Sequence, residues 1–265
     1  MCANRFMTPP AADHPAPGTP WLLGAHLQQE TRRITEYHTH ERGQIFGIEQ
    51  GVMAVHTEHA YWLIGPGQCL WLPPQIAHNA SSHGAVAIWS LYVSPARCID
   101  LPGRPFLADG TRLLTALAER LSRDADEMRW DTQISRLAES FWHEFLSAPR
   151  TSVSLPLPKS EKLCRVARAL GDNPADPRAQ KDWAELSAMS LRSFVRHFTL
   201  ETGLPFSVWR QRLRILNAQK KLARGDSVAS VALDVGYESP GAFASAFHRH
   251  TGYRPGDYAR LCRTP

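Results

Sequence analysis

At 265 residues with 43% hydrophobic side chains, the chain is long enough for two domains. Its charge of +5 is unevenly spread: residues 1–158 carry 12 Arg, no Lys and 15 acidic residues, whereas residues 159–265 carry 18 Lys and Arg against 10 acidic ones, as expected of a polyanion-binding half joined to a sensing half. No apolar span approaches membrane-crossing length, and Cys2, Cys69, Cys98, Cys164 and Cys262 lack CxxC spacing, which sets aside a membrane protein, a disulfide framework and a zinc ribbon.

Residues 1–20 are rich in Pro and Ala without periodicity and are expected to form a disordered leader. No 7–15-residue apolar core follows a basic start there, so no secretory signal is expected. Residues 21–95, within an expected barrel domain of 21–110, read as short strands: Gln44–Glu49, Val52–Thr57, Ala60–Ile64, Cys69–Leu72 and Ala85–Val93, punctuated by Gly51, Gly65-Pro66-Gly67 and Pro73-Pro74. Strands at this spacing predict a small barrel or jelly roll. Within it stand Tyr37-His38-Thr39-His40, then Gln44, then Trp71-Leu72-Pro73-Pro74 and Ala77-His78. This arrangement resembles the cupin barrel. In metal-binding cupins an HxH pair, a carboxylate about four residues on and a distant third His converge on one metal. The resemblance therefore implies a site at His38, His40, Gln44 and His78, with a neutral Gln where the carboxylate is expected. Three imidazoles suit a divalent metal, whereas a Gln is a poor fourth ligand. A possible metal site, a metal-free effector pocket and purely structural histidines all stay open. Trp62, Trp71 and Trp89 are candidate pocket walls or plain core.

Residues 111–147 are helical in pattern, with one stripe of Leu113, Leu114, Leu117 and Leu121 and another of Ile134, Leu137, Phe141 and Phe145, separated by a turn around 124–129. Residues 148–159, with three prolines, read as a linker.

Residues 160–265 are expected to be all-helical. In Lys181–Gly203, Trp183, Leu186 and Met189 form an apolar stripe, Ser190 is placed as an N-cap, and Phe194 and Phe198 share one face. The pattern recurs downstream: Val228, Val231 and Ala232, a break at Gly236, Ser239 as N-cap, Pro240 at a first helical position, then Phe243 and Phe247. One such pair of helices could be an ordinary helical corner. Two of them, joined by an uninterrupted helix over 206–223, form a double helix-turn-helix that can reach two major-groove segments about one turn, roughly 34 Å, apart.

Together with Thr251-Gly252-Tyr253-Arg254-Pro255, this stretch resembles the DNA-binding domain of the AraC/XylS family of transcription regulators, many of which carry a cupin-type sensing domain. The resemblance covers about a hundred residues and implies sequence-specific binding of double-stranded DNA by a cytoplasmic protein, under the control of a small-molecule or metal effector. It also implies dimerisation through the two helices, by Leu113, Leu117, Leu121, Leu137 and Phe141, although these helices could merely cover the barrel. RNA polymerase is a further expected partner. On the first reading helix the outward positions are Arg192, Ser193, Val195, Arg196 and His197. An Arg there can bond guanine O6 and N7, and Val195 can rest on a thymine methyl. The second helix presents Pro240, Gly241, Ala242, Ser245, His248 and Arg249, a departure from the longer polar side chains of many relatives. It is therefore expected to position the protein on phosphates and DNA shape, leaving most base readout to the first. The alternative function is a cupin metalloenzyme of dioxygenase or isomerase type fused to a DNA-binding module. The sign of regulation stays open.

Overall fold

The computed structural model describes residues 20–123, 130–151 and 154–263. The expected leader and the turn at 124–129 lie outside the described residues. The chain forms two units, one of residues 20–57 and 63–151, the other of residues 154–263 with 58–62. The expected order, β first and then helical, is what the fold has.

In the first unit β1 (Leu22–Gln29), β2 (Gly43–Gln50), β5 (Gln68–Leu72), β7 (Val86–Val93), β8 (Phe106–Asp109) and β9 (Arg150–Thr151) form one antiparallel sheet, in the order β1-β7-β2-β5-β8-β9. Strands β3 (Met53–Thr57) and β6 (His78–Ser82) pair antiparallel in a second sheet. Strand β4 (Ala60–Ile64) follows the tight turn after β3, and β10 (Leu155–Pro156) pairs with Ala60 and Tyr61 within the second unit. The expected linker thus carries β9 and β10.

Two helices cover one face of the six-stranded sheet: α1 (Arg112–Arg123) and α2 (Thr132–Ser147). Asp131 caps α2 by accepting from the Ile134 N–H at 2.9 Å. The pleat sends alternate residues to opposite faces, so Ile45, Trp89, Leu91 and Val93 point at the helices, while Gln44, Ser90 and Tyr92 point away. The apolar layer gathers Trp71, Trp89, Leu114, Leu121, Phe141 and Phe145, with Trp89 edge-on to Phe141 at 6.2 Å. This corrects two expectations. Trp71 and Trp89 are core beneath the helices rather than walls of the histidine pocket. Leu121 and Phe141 are 3% and 0% exposed in the same core, so they hold helix to sheet instead of offering a dimer face. Trp62 is buried, Leu117 and Leu137 are partly buried against this core, and Leu113 is exposed.

Gly24 explains how closely α1 lies on β1. A Cβ there would stand 2.0 Å from the Leu121 carbonyl oxygen, a backbone atom that cannot rotate away. Gly24→Ala is expected to lift α1 and cost about 1–3 kcal/mol, the usual range for overpacking. Urea unfolding of the full chain checks this, and an unchanged midpoint would contradict the packing described.

The second unit is helical: α3 (Glu161–Asp172), α4 (Gln180–Leu186), α5 (Leu191–Thr202), α6 (Phe206–Arg224), α7 (Val228–Asp234), α8 (Pro240–Thr251) and α9 (Pro255–Arg263). Ser190, Ser227 and Ser239 cap α5, α7 and α8 by accepting from backbone N–H groups three residues on, each at 3.2 Å. Gly203 and Gly252 end α5 and α8 in the left-handed region, at φ of 71° and 77°. Phe194, Phe198, Phe206 and Trp209 form one aromatic core, and Phe243, Phe247 and Tyr258 the other.

Candidate nucleic-acid interface and effector pocket

Both helix pairs owe their outer faces to what they bury. In α5, Phe194 and Phe198 are 0% exposed and face inward, which turns Arg192, Val195 and Arg196 to solvent. Ser193 and His197 sit on the flanks: Ser193 meets the Ser190 hydroxyl, and His197 Nε2 lies 3.2 Å from the Arg196 guanidinium. Among the described residues neither Arg192 nor Arg196 enters an ion pair. Apart from the Arg196–His197 contact, their donors remain available for base edges or phosphates. In α8, Phe243 and Phe247 are likewise fully buried, and Pro240, Gly241, Ala242, Ser245, His248 and Arg249 are exposed. The exposed faces of α5 and α8 thus differ in chemistry. Ser245 is the only exposed hydroxyl in the body of α8, and its cations gather in the last turn.

Between them α6 has 19 residues, about 28 Å at 1.5 Å per residue. Its Trp209 indole donates to the Pro156 carbonyl at 2.7 Å. Glu201, on α5, accepts from the Lys159 and Ser160 N–H groups at 2.7 and 2.8 Å, which seats the start of α3. Although burial pushes the other way, these bonds leave the Glu201 carboxyl below its ordinary value. No helix among the described residues is long and apolar enough to cross a membrane.

The first unit brings the predicted histidines together. His38 and His78 exchange backbone hydrogen bonds at 3.0 Å in each direction, so their rings lie 4.4 Å apart, with His40 5.1 Å from His78. His38 Nδ1 donates to the Glu36 carbonyl at 2.9 Å and His78 Nδ1 to the Ile76 carbonyl at 2.8 Å. Carbonyls only accept, so the proton sits on Nδ1 and a neutral ring presents Nε2 as a lone pair. Both Nε2 atoms are buried without a hydrogen-bond partner.

His40 is differently engaged. Its Nδ1 bonds the Arg42 carbonyl and its Nε2 lies 3.2 Å from the Gln44 amide, which also reaches Ser90 Oγ at 3.4 Å and the Tyr92 hydroxyl at 3.3 Å. The Gln44 amide oxygen faces His40 Nε2, while its NH₂ donates to the Ser90 and Tyr92 hydroxyl oxygens. Both His40 ring nitrogens are thereby engaged, Nδ1 at the Arg42 carbonyl and Nε2 at Gln44. No group of three His, Cys, Asp or Glu side chains among the described residues is disposed to hold a metal ion. With no carboxylate and one imidazole committed, the residues present fit a resident metal poorly. They do fit a ligand that donates hydrogen bonds to two buried acceptors.

Burial, reinforced by the neighbouring His40 and His38, lowers the His78 pKa from 6.5 to about 4 against the opposing pull of the Ile76 carbonyl. The unfolded chain therefore takes up this proton first. Stability is whole above about pH 6.5, falls as the pH drops toward 4 and levels off below. The loss is up to about 3 kcal/mol. Urea midpoints from pH 7.5 to 4 are expected to slope downward in the parent chain and to flatten in His78→Gln; parallel slopes would contradict a neutral buried His78.

Two helix-turn-helix units on a common connecting helix, joined to a β unit with a polar histidine cluster, define a regulator-type DNA-binding protein. The chain belongs to the AraC family. Residues 183–261 match the model described as "Helix-turn-helix domain", and residues 22–146 the model described as "AraC-like ligand binding domain". The HTH-type transcriptional regulator NimR of Escherichia coli K12 is 28% identical over 225 residues, 84% of this chain and 82% of that one. RipA of Corynebacterium glutamicum is 38% identical over 103 residues, 39% of this chain and 31% of its own. Among solved structures, ToxT from Vibrio cholerae O395 is similar with a TM-score of 0.40 and 11% identity, over 91% of this chain and 97% of that one.

Proposed function

We infer that this protein is a sequence-specific transcriptional regulator, acting on promoter DNA in the cytoplasm, whose DNA binding or polymerase recruitment responds to a small molecule held at His38, His40, Gln44 and His78. The observation that carries the DNA-binding half is the pair of arginines, Arg192 and Arg196, kept on the exposed face of a helix whose opposite face buries Phe194, Phe198 and Thr202. The observation that favours a metal-free effector is the pair of unpartnered, buried Nε2 acceptors beside a His40 already bound to Gln44. An unmatched buried acceptor costs about 1–3 kcal/mol, which a donor on the ligand would recover.

For control, the effector must bind two states of the protein with different affinity. Dimerisation would add avidity by raising the effective concentration of the second DNA-binding unit. Its surface would be the outward side of α1 and α2, with Leu113 at its centre and Leu117 and Leu137 at its edge.

Chromatin immunoprecipitation of the full chain from its host, with transcript profiling, tests this reading. Occupancy is expected at a small set of promoters whose transcripts change when the gene is deleted. A His38→Ala/His78→Ala variant is expected to occupy the same promoters but to hold their transcripts in one state. Occupancy spread evenly over the genome would contradict the reading, and so would a variant that responds normally.

A further inference from the structure

The second unit contains a cavity of about 740 Å³ that the reading helices do not line. Its walls include Ser207, Arg210, Gln211 and Arg214 from the first half of α6, and Tyr237 and Glu238 from the turn that leads into α8. Gln180, at the start of α4, closes the far side. It therefore lies where the two helix-turn-helix units meet. Gly236 makes the meeting possible: at φ +82° it brings that turn so close that a Cβ would stand 2.9 Å from the Ala175 Cα and 2.7 Å from an Arg214 nitrogen.

The cavity is underneutralised. Arg210 donates to the carbonyls of Arg178 and Asp176, and Arg214 donates through Nε to the Pro174 carbonyl at 3.0 Å. These bonds pin the 174–178 loop to α6 but supply no negative charge. The nearby carboxylate, Asp176, attracts Arg210 through its charge, but both its oxygens bind Arg178, at 2.6 to 3.1 Å. Partial burial lowers the pKa of both Arg210 and Arg214, and for Arg210 the neighbouring Arg214 adds to the effect. Arg210 Nε is buried without a hydrogen-bond partner. Two desolvated guanidiniums facing a cavity, with Glu238 as the one acidic side chain in its wall, call for an anion.

The position selects which anion. A duplex whose successive major-groove segments take α5 and α8 presents its sugar–phosphate backbone to whatever lies between those helices. We propose that the Arg210–Arg214 cavity is a phosphate clamp for the stretch of DNA backbone between the two major-groove segments. It rests on the DNA-binding reading above and extends it: the clamp would fix the register of both helices without reading a base. Glu238 at the rim would repel a phosphate displaced toward α8, which favours one seat.

The test couples protein and DNA charges. A duplex is selected from a random library with the full chain. A set is then made with a single neutral methylphosphonate at each backbone position between the two protected blocks. One position is expected to weaken wild-type binding about tenfold, while leaving Arg210→Gln, already weakened, within about twofold of its own unmodified value. Because Arg210 also holds the 174–178 loop, Ser207→Glu is the second variant. Ser207 is exposed on the rim, makes no hydrogen bond among the described residues, and lies in the first turn of α6, where an acidic residue suits the helix. Ser207→Glu is expected to weaken specific and non-specific duplexes by equal factors and to lower the slope of log affinity against log salt by roughly one. No coupling at any backbone position, or unchanged binding by Ser207→Glu, overturns the clamp. Saturable binding of inorganic phosphate to DNA-free protein, lost in Arg210→Gln but uncoupled from every methylphosphonate, also overturns it in favour of a small-anion site. Failure of the wild-type chain to select any sequence would strike instead at the DNA-binding reading itself.

Discussion

Replacing Arg192 and Arg196 together by Ala is expected to abolish sequence discrimination while leaving the fold intact. Both side chains are exposed on α5 and neither holds another element in place, so thermal melting should move little. Each bidentate Arg–guanine pair is worth roughly 1–3 kcal/mol of discrimination. Losing two brings the specific affinity down by about one to four orders of magnitude, toward the non-specific value. Competition between a selected duplex and scrambled DNA reads the ratio directly. The single variants separate the roles: an arginine on a base relaxes preference at one position, whereas an arginine on phosphate weakens all sequences alike. A double variant that keeps its discrimination would move base readout to α8, where Ser245 offers the only hydroxyl in the helix body.

The second large effect is structural. Phe198 is 0% exposed and lies 5.7 Å from Phe194, 5.1 Å from Phe206 and 5.3 Å from Trp209, ring centre to ring centre. It joins the reading helix to the connecting helix. Phe198→Ala leaves a cavity among rigid rings that cannot collapse into it, and the expected cost is about 3–5 kcal/mol. DNA binding should be lost with the fold of this unit. Phe198→Leu, which keeps most of the volume, should recover much of both. A Phe198→Ala chain with normal stability would mean that α5 is held by something other than this aromatic cluster. Calorimetry distinguishes the outcomes.

The helical half was legible because its signals are local. Ser caps, Gly stops and Phe pairs at i, i+4 each constrain a few neighbouring residues, and the connecting helix predicted over 206–223 is found as Phe206–Arg224. The β half was less so. Strand β6, HNASS, is polar and has no apolar alternation, and its pairing with β3 is set by chain remote in sequence. Strand β1 carries Gly24 for a reason visible only once α1 lies upon it. Whether Trp71 and Trp89 are pocket wall or core, both open in the sequence, was not legible for a related cause. Which face of a strand meets the helices depends on register, and a one-residue shift reverses it.

The histidine cluster shows the same division. HxH and the distant His78 were readable as a group from spacing and resemblance. The commitment of His40 to Gln44, and the idle acceptors on His38 and His78, depend on backbone carbonyls at Glu36 and Ile76 that no motif encodes. The Arg210–Arg214 cavity left no motif either. Its arginines sit on a helix that the sequence marks only as a spacer, and their setting comes from the loop before α4 and the turn at Gly236.

The central claim is that one chain reads two adjacent major-groove segments with helices of unequal chemistry. Selection of bound duplexes from a random library by the full-length protein, followed by sequencing, tests it most directly. The account predicts two blocks about 10 base pairs apart, one helical turn. One block should be strongly preferred and lost in Arg192→Ala/Arg196→Ala, the other weak and dominated by groove shape. A single block, or two of equal strength that both survive in the double variant, would contradict it.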